Sequence, residues 1–270
     1  MRVTTLRRYP VKSMLGEDVA ALAVNEHGAV GDREFALIDV ATGRVATAKH
    51  PRLWRSLLQC AAGGDPGRVR ITLPDGRSVR VADGVDELLT ELLGRHVRLS
   101  GERPAGASVE RPAPEDVLER GVDAPVEFAT LEIGQGTPGR SFVDYAPLHL
   151  VTTATLRHVG VEAVRYRPNL VVTTPPGFPP FTENEWAGRE LTVGDRANGA
   201  VRLRGLIPTP RCSVPTLEHG ELSRAPQAVR RPMAENRVDV PGFGKVPCVG
   251  VYLEVLEAGT IRPGDRLSVG

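Results

Sequence analysis

Apolar and polar residues alternate along several short stretches in the first hundred residues. In "VAALAVNEHGAVGDREFALIDVATGRVAT" the alternation breaks at "EHGAVGD" and "ATGR", whose composition is typical of hairpin connections. "GRVRITLPDGRSVRVADG" repeats the pattern around a Pro-Asp-Gly turn. These stretches predict a small antiparallel sheet or barrel. The spacing in "DELLTELLG" then predicts one short helix that ends at Gly94.

The second half of the chain carries a similar pattern. "RELTVGDRANGAVRLRGLI" and "VGVYLEVLEAGTIRPGDRLSVG" place the turns Gly194-Asp195 and Gly264-Asp265 between alternating runs. "LHLVT" and "RYRPNLVVTT" predict strands, and "TATLRHVG" predicts a helix with Thr153 or Thr155 as its N-cap. The intervening residues 101–126 are rich in proline, glycine and charge, so we interpret them as a linker or surface excursion.

The predicted fold class is therefore mainly β with some α, in two strand-rich, β-barrel-like domains. We place the first domain over residues 1–115 and the second over residues 116–270. The length of 270 residues is compatible with two domains, since length is a prior on domain number.

Composition and charge narrow the class of protein. Hydrophobic residues make up 41% and charged residues 25% of the chain, as in ordinary soluble globular proteins. The formal net charge is +1, so no overall field favours nucleic acid or an anionic membrane. No apolar run approaches the length of a membrane span, and the N-terminus lacks the apolar run of a secretory signal. We expect a cytoplasmic protein with no membrane span and no nucleic-acid partner.

The cysteines are three in number, Cys60, Cys212 and Cys248, and no C-x-x-C pair occurs. This pattern suggests neither a disulfide framework nor a structural zinc site. Cys60 and Cys248 lie inside patterned apolar segments, which predicts core positions. Cys212 lies in "LIPTPRCSVPT", where prolines favour a stiff loop and Arg211 is a candidate activator of the thiol. The residues alone leave Cys212 open between a functional thiol and a small buried hydrophobe.

A second group of residues has the chemistry of anion recognition. "YPVKS" supplies Lys12 and Ser13, "GDREF" supplies Arg33, and "RYRPN" supplies Arg167 and Asn169. Arginine forks suit phosphate oxygens, while serine and asparagine add neutral hydrogen bonds. The chain has neither G-x-G-x-x-G after a strand nor G-x-x-x-x-G-K-[ST], which argues against a nucleotide-dependent kinase or a nicotinamide dehydrogenase.

Together these motifs resemble the MOSC family, and particularly its two-domain members related to the mitochondrial amidoxime-reducing component. "YPVKS", "GDREFALID" and "ATAKHPRLWRS" are similar to the family's N-terminal beta-barrel domain. "FVDYAPLHLVTTATL", "RYRPNLVVT", "PRC" and the final "GTIRPGDRLSVG" are similar to the MOSC domain. The order and mutual spacing of the motifs carry the resemblance.

The resemblance implies an enzyme that contains molybdenum bound to molybdopterin. In the family, the cysteine of the Arg-Cys motif coordinates molybdenum, which makes Cys212 the implied metal ligand and catalytic residue. The residues implied in cofactor binding are Lys12, Ser13, Arg33, Asp144, Arg167, Asn169 and Arg211. Similar enzymes reduce N-hydroxylated compounds such as hydroxylamines, amidoximes and N-hydroxylated bases. Because the chain has no C-x₄-C-x₂-C run, we expect electrons from a separate donor protein of ferredoxin or cytochrome type.

Alternatives remain open from the sequence. The chain could bind the molybdenum cofactor without redox turnover, or carry sulfur on Cys212, and pyridoxal phosphate binding is a further family-level possibility. A cysteine hydrolase would need His149 or His219 to meet Cys212 in space. No H-E-x-x-H pair supports a zinc hydrolase.

Overall fold

Strands predominate over helices, which confirms the fold class predicted from the alternating patterns. The computed structural model describes residues 1–137, 139–195 and 199–270. The described strands are β1 (Arg2–Arg8), β2 (Glu17–Asp18), β3 (Leu22–Asn25), β4 (Gly28–Ala29), β5 (Ala36–Asp39), β6 (Ala61–Gly63), β7 (Arg70–Thr72), β8 (Ser78–Arg80), β9 (Val97–Ser100), β10 (Ser108–Pro112), β11 (Phe128–Glu132), β12 (Leu148–Thr152), β13 (Leu170–Thr173), β14 (Glu190–Val193), β15 (Val201–Pro210), β16 (Arg237–Val240), β17 (Gly244–Glu257), β18 (Gly259–Ile261) and β19 (Leu267–Val269).

The α-helices are short and connect or flank the strands. They are α1 (Pro51–Trp54), α2 (Asp86–Leu93), α3 (Pro114–Arg120), α4 (Thr153–Val159) and α5 (Gln227–Glu235). Helix α2 ends at Gly94 in the left-handed conformation, as predicted. The predicted N-cap of α4 is wrong, because the helix begins one residue earlier than expected. The Thr152 side chain, rather than that of Thr153 or Thr155, accepts the capping hydrogen bond.

One large mixed sheet organises the second half of the chain. Its strand order is β19-β14-β15-β17-β12-β13-β1-β2, and β16 pairs with β17. Strands β12 and β13 are parallel, and their other neighbours in this sheet are antiparallel. An isolated antiparallel bridge between Arg2 and Arg266 brings β1 up to the start of β19, so the sheet curls until these strands meet. The hairpin predicted around Gly194-Asp195 is present as β14 and β15, although residues 196–198 of its connection lie outside the described residues.

Segments of the first half are built into sheets with strands of the second half. Strand β1 pairs with β13, and the β3–β4 hairpin pairs with β18. Strand β2 pairs with β1 in the large sheet, whereas β5–β9 and β6–β7–β8 form small antiparallel sheets. The predicted division between residues 115 and 116 falls within α3 and stays a prediction.

The stretch interpreted as a linker or surface excursion has regular structure, so the linker alternative is wrong. Strand β10 pairs along its whole length with β11, and α3 lies between them. Val109 and Val117 are fully buried, which anchors this excursion to the rest of the protein. Its proline-rich composition concealed a strand whose pairing partner lies outside the stretch.

Separate apolar clusters hold the two halves. Leu6, Leu150 and Leu253 belong to the cluster of the large sheet, while Trp54 and Leu89 belong to the cluster of the first half. Cys60 and Cys248 are 0% exposed, which confirms their predicted core positions. No helix in the described ranges is long and apolar enough to cross a membrane.

Candidate functional site

All the residues that the resemblance marked line one cavity between the two halves. The cavity has a volume of about 340 Å³, within the usual range for small-molecule sites. Lys12, Ser13 and Arg33 reach it from the first half of the chain. The second half contributes Asp144, Arg167, Asn169, Arg211 and Cys212. Segments far apart in sequence therefore converge on a single hollow.

The lining is strongly basic although the whole chain is nearly neutral. It contains seven basic side chains and two carboxylates, namely Lys12, Arg33, Lys49, Arg111, Arg165, Arg167 and Arg211 with Glu132 and Asp144. The net charge of the chain is only +1, so positive charge is concentrated here. Such a cavity favours an anionic ligand. Sequence reasoning missed Lys49, Arg111 and Arg165. Lys49 could have been found from its rarity, because the chain has only three lysines and two of them line the cavity.

Backbone conformation singles out the same group of residues. Among the described residues other than glycine, positive φ occurs at Ser13 (65°), Arg33 (49°), Arg167 (55°) and Phe181 (62°). The first three line the cavity. Left-handed backbone is uncommon for such residues and tends to occur at functional sites, where the surrounding structure holds it in place. We call Lys12, Ser13, Arg33, Lys49, Arg165 and Arg167 the basic wall.

Two guanidinium groups of the basic wall lie over a buried aromatic ring. The Cζ atoms of Arg33 and Arg167 each lie 4.4 Å from the ring centroid of Tyr9. Arg33 pairs with Asp32 and donates from Nη2 to the carbonyl of Arg167 at 3.0 Å. Arg167 donates from Nη1 to the carbonyl of Met14, and its Nη2 is buried without a hydrogen-bond partner. Burial, and then the charge of Arg33, lower the pKa of Arg167 to about 10.

A carboxylate bridges the two lysines of the basic wall. Lys12 Nζ lies 2.6 Å from Asp144 Oδ1, and Lys49 Nζ lies 3.0 Å from the same oxygen. Burial lowers the pKa of Lys12 to about 8 in spite of this partner. For Asp144, burial acts to raise the pKa, but the charges of Lys12 and Lys49 outweigh it and hold the pKa well below its usual range. The two lysines therefore stabilise the charged form of the Asp144 carboxylate.

Cys212 follows the end of β15 and lines the cavity as a half-buried free thiol. Pro210 pairs with Cys248 on β17, and the Arg211 N–H donates to the carbonyl of Pro247 at 2.9 Å. The pairing of β15 with β17 therefore fixes the backbone just before Cys212. Part of the side chain packs against Leu58, Leu217 and their apolar neighbours. Burial raises the pKa of the other thiols, to about 11 for Cys60 and about 12 for Cys248.

The guanidinium of Arg211 is held by hydrogen bonds to backbone carbonyls and to a histidine. It donates from Nε to the carbonyl of Val249 at 3.0 Å, from Nη1 to the carbonyl of Tyr166 at 3.2 Å, and from Nη2 to His149 Nε2. Because this ring nitrogen accepts, His149 is neutral; burial, and then Arg211, hold its pKa well below its usual range. Gly250 lies beside it with φ of +81°, and a Cβ there would come within 2.4 Å of His149 Nε2. Only glycine fits this approach.

Ser13 and Asn169 line the cavity while their polar atoms also hold the surrounding backbone. Ser13 Oγ accepts from the N–H of Ala48 at 3.0 Å. Asn169 Oδ1 accepts from the N–H of His149 at 3.2 Å, and its Nδ2 donates to the carbonyl of Arg7 at 3.3 Å. The Ser13 contact ties two loops together, and the Asn169 contacts tie the start of β13 to β12 and β1.

Neither candidate histidine is arranged as a base for Cys212. His149 is engaged with Arg211. His219 Nδ1 lies 3.0 Å from the carbonyl of Leu217, and its Nε2 is buried without a partner. Burial lowers the pKa of His219 to about 4. In the part of the chain that the structure describes, no group of three histidine, cysteine, aspartate or glutamate residues could hold a metal ion.

Another part of the cavity lining comes from the β10–β11 hairpin and the residues after it. We call Val109, Arg111, Leu131, Glu132, Ile133 and Gln135 the hairpin wall. Arg111 Nη2 donates to the carbonyl of Arg211 at 3.4 Å, which joins this wall to the cysteine loop. A cluster of three aromatic side chains also lines the cavity. The ring centroid of Tyr145 lies 5.7 Å from that of Phe243 and 5.8 Å from that of Tyr252. This side is mixed apolar and polar rather than basic.

The aromatic loop "PPGFPPFTENEW" lies away from this cavity. Trp186 and Phe178 pack in or against the large-sheet cluster, and Phe181 packs against a third cluster. These residues pin their own loop, and they are not among the lining residues.

Comparison with protein families gives two matches along the chain. Residues 1–95 match the MOSC N-terminal beta barrel domain, and residues 137–268 match the MOSC domain. The basic wall and Cys212 lie within the matched ranges. The hairpin wall lies between them.

Individual relatives are distant. Mitochondrial amidoxime-reducing component 1 of Mus musculus is 25% identical over 135 residues, which span 46% of this chain and 37% of that protein. Among solved structures, the YuaD protein of Bacillus subtilis has a TM-score of 0.44 at 11% identity, over 99% of this chain and 94% of that chain. YiiM from Geobacillus stearothermophilus has a TM-score of 0.31 at 14% identity, over 62% of this chain and 74% of that chain.

Proposed function

Because the chain belongs to the MOSC-domain family, we propose that it binds a molybdenum cofactor in the cavity and reduces N-hydroxylated compounds. The observation that carries the proposal is the convergence of Cys212 and seven basic side chains on one hollow. Molybdopterin is anionic and presents a phosphate group, whereas its metal accepts soft sulfur ligands. The cavity offers both kinds of partner.

The chemistry of the donor set fits this group. Arg167 Nη2 is buried without a partner, so a ligand anion would satisfy a polar atom that the protein leaves unpaired. Lys12 and Lys49 share one carboxylate, which leaves net positive charge on these three side chains. Cys212 presents a half-buried thiol, in contrast to the fully buried Cys60 and Cys248.

Each residue then has a distinct role. Cys212 would be the protein ligand to molybdenum and the catalytic residue. The phosphate and pterin groups would bind Lys12, Ser13, Arg33 and Arg167, with Lys49 as an addition to the residues implied by the motifs. Asn169 and Arg211 would mainly support the cavity wall, because their polar atoms already hold β12, β1 and the backbone near Val249. Asp144 would keep both lysines in place.

The cofactor supplies a two-electron redox centre when it is bound. The overall reaction joins R–NHOH with two electrons and two protons to give R–NH₂ and water. The N–O bond breaks, the nitrogen compound is reduced, and a separate ferredoxin- or cytochrome-type protein would be oxidised. The chain's own contribution is positioning and charge. With its pKa of about 8, Lys12 is mainly protonated at neutral pH and keeps a positive charge in the basic wall.

A second candidate rests on the same thiol. A half-buried cysteine at the edge of an anion-binding cavity could carry sulfur as a persulfide, or hold the cofactor without turnover. The cysteine hydrolase lacks comparable support, since His149 is held by Arg211 and His219 by the Leu217 carbonyl.

Turnover of the loaded chain tests the proposal. The full chain would be produced in a host that makes molybdopterin, reduced chemically, and incubated with a hydroxylamine and an amidoxime, with the amine or amidine product quantified by chromatography. We expect product from wild type and from Cys60→Ser, and none from Cys212→Ser. Retained molybdenum without product across the substrate panel would refute the reductase. A persulfide on Cys212 by mass spectrometry, without molybdenum, would favour the sulfur carrier.

A further inference from the structure

We propose that Tyr9 is the positioning residue of an anion subsite, and that its ring, not its hydroxyl group, holds Arg33 and Arg167 in place. The subsite takes a phosphate-type anion. Only the identity of the natural anion, the phosphate group of the cofactor, rests on the proposed function.

The geometry centres on the ring. Tyr9 is 0% exposed, and the guanidinium carbons of Arg33 and Arg167 both lie 4.4 Å from its centroid. Guanidinium groups at this distance from an aromatic face are attracted by the ring quadrupole, more strongly where water is excluded. The ring therefore orients two like charges that would otherwise repel each other.

Backbone contacts connect the same residues. The Arg33 N–H donates to the carbonyl of Tyr9 at 2.7 Å, and the Tyr9 N–H donates to Asp32 Oδ1 at 2.8 Å. Arg33 in turn donates to the carbonyl of Arg167. Both arginines have positive φ, so the ring and these bonds together hold a backbone arrangement that neither residue favours alone.

One of the arginines near the Tyr9 ring, Arg167, has no carboxylate partner among the described residues. Three arginines surround the ring, with Arg7 at 5.8 Å from its centroid. Arg7 pairs with Asp18 and Arg33 pairs with Asp32. Within the described residues, no carboxylate pairs with Arg167, whose buried Nη2 also lacks a hydrogen-bond partner. An anion at this point would bind Nη2 and relieve the repulsion between Arg33 and Arg167.

The hydroxyl group of Tyr9 can be separated from its ring. Its oxygen is buried and has no hydrogen-bond partner, so it contributes no contact that phenylalanine would lose. Substitution by phenylalanine keeps the aromatic face and removes an unsatisfied polar atom. Fluorinated phenylalanines keep the ring with little change of shape while they progressively weaken its negative face.

The experiment measures anion binding by the metal-free full chain. Inorganic pyrophosphate would be titrated calorimetrically at constant ionic strength into wild type, Tyr9→Phe, and chains with difluoro- and pentafluorophenylalanine at position 9. Far-UV circular dichroism and the unfolding midpoint would be recorded for each. The matched control carries the same fluorinated residues at Phe178, which packs against the large-sheet cluster.

We expect Tyr9→Phe to bind within about twofold of wild type, and affinity to fall stepwise to about tenfold weaker with the pentafluoro ring. The Phe178 series should not change affinity. Affinity independent of fluorination at position 9, a loss in Tyr9→Phe as large as with the pentafluoro ring, or no pyrophosphate binding by wild type would overturn the inference. Because the assay needs no molybdenum and no turnover, a fluorination gradient in a chain that reduces nothing would sustain this inference while the proposed function fails.

Discussion

The two sides of the cavity differ in charge, backbone conformation and position along the chain. The basic wall is cationic, carries positive φ at three residues and lies within the stretches that match the family. The hairpin wall is mixed in character and lies between those stretches, in residues 96–136. Under the proposed function, the basic wall would bind the anionic cofactor and the hairpin wall would border the substrate.

We expect the largest change in anion affinity when an arginine of the basic wall, rather than one of the hairpin wall, is replaced. Arg167→Gln removes a charge-assisted contact of about 2 kcal/mol and should weaken pyrophosphate binding by roughly thirtyfold. Arg111→Gln is the matched control, because Arg111 also lines the cavity but belongs to the hairpin wall. We expect less than about threefold for that variant. Equal losses in the calorimetric titration would remove the distinction between the walls.

A smaller effect concerns pH. Because the pKa of Lys12 is about 8, its charge disappears as pH rises through that value. We expect sulfate, which does not titrate in this range, to bind about tenfold more weakly at pH 9.5 than at pH 7. Lys12→Met should bind weakly at both pH values. An equally steep decline in that variant would assign the titration to another group.

The lowered pKa of Lys12 also affects stability. As pH rises, anion binding weakens whereas the free energy of unfolding increases. The pKa of Lys12 is about 8 in the folded chain and 10.5 when the side chain is not buried. Between these pH values the unfolded chain therefore binds more protons than the folded chain. The contribution of Lys12 to the free energy of unfolding therefore rises between these values. Urea denaturation of wild type and Lys12→Met over this range would measure it.

The smallest effect belongs to the aromatic group beside the hairpin wall. Phe243→Leu removes the edge contact with Tyr145 and should raise KM by about threefold, while kcat and molybdenum content stay unchanged. Steady-state kinetics with one aromatic and one aliphatic hydroxylamine would measure it. A loss of molybdenum in this variant would mean that the aromatic group contacts the cofactor rather than the substrate.

Local sequence patterns predicted the strand-rich fold because alternation and turn residues act over a few positions. The ending of α2 at Gly94 and the burial of Cys60 and Cys248 followed from such local rules. The pairing of β1 with β13, and of β3 with β18, could not be predicted, since nothing in a strand's own sequence specifies a distant partner. The β10–β11 hairpin was missed for the same reason.

The family resemblance, now confirmed, accounts for most of what could be predicted about the site. Motif order placed Lys12, Arg33, Arg167 and Cys212 in one group, and the cavity contains all of them. Their roles in binding remain predictions. The network of Arg211 with His149, and the contacts of the Tyr9 ring with two guanidinium groups, depend on long-range packing and left no periodic signal in the sequence.

X-ray absorption at the molybdenum edge shows whether Cys212 binds the metal, because it counts the sulfur atoms bound to molybdenum. Wild type, Cys212→Ser and the control Cys60→Ser would be purified from the same cofactor-producing host. We expect one sulfur neighbour fewer in Cys212→Ser than in the other two proteins, or no molybdenum in that variant. The same molybdenum content and the same sulfur count in all three proteins would show that Cys212 is not a molybdenum ligand.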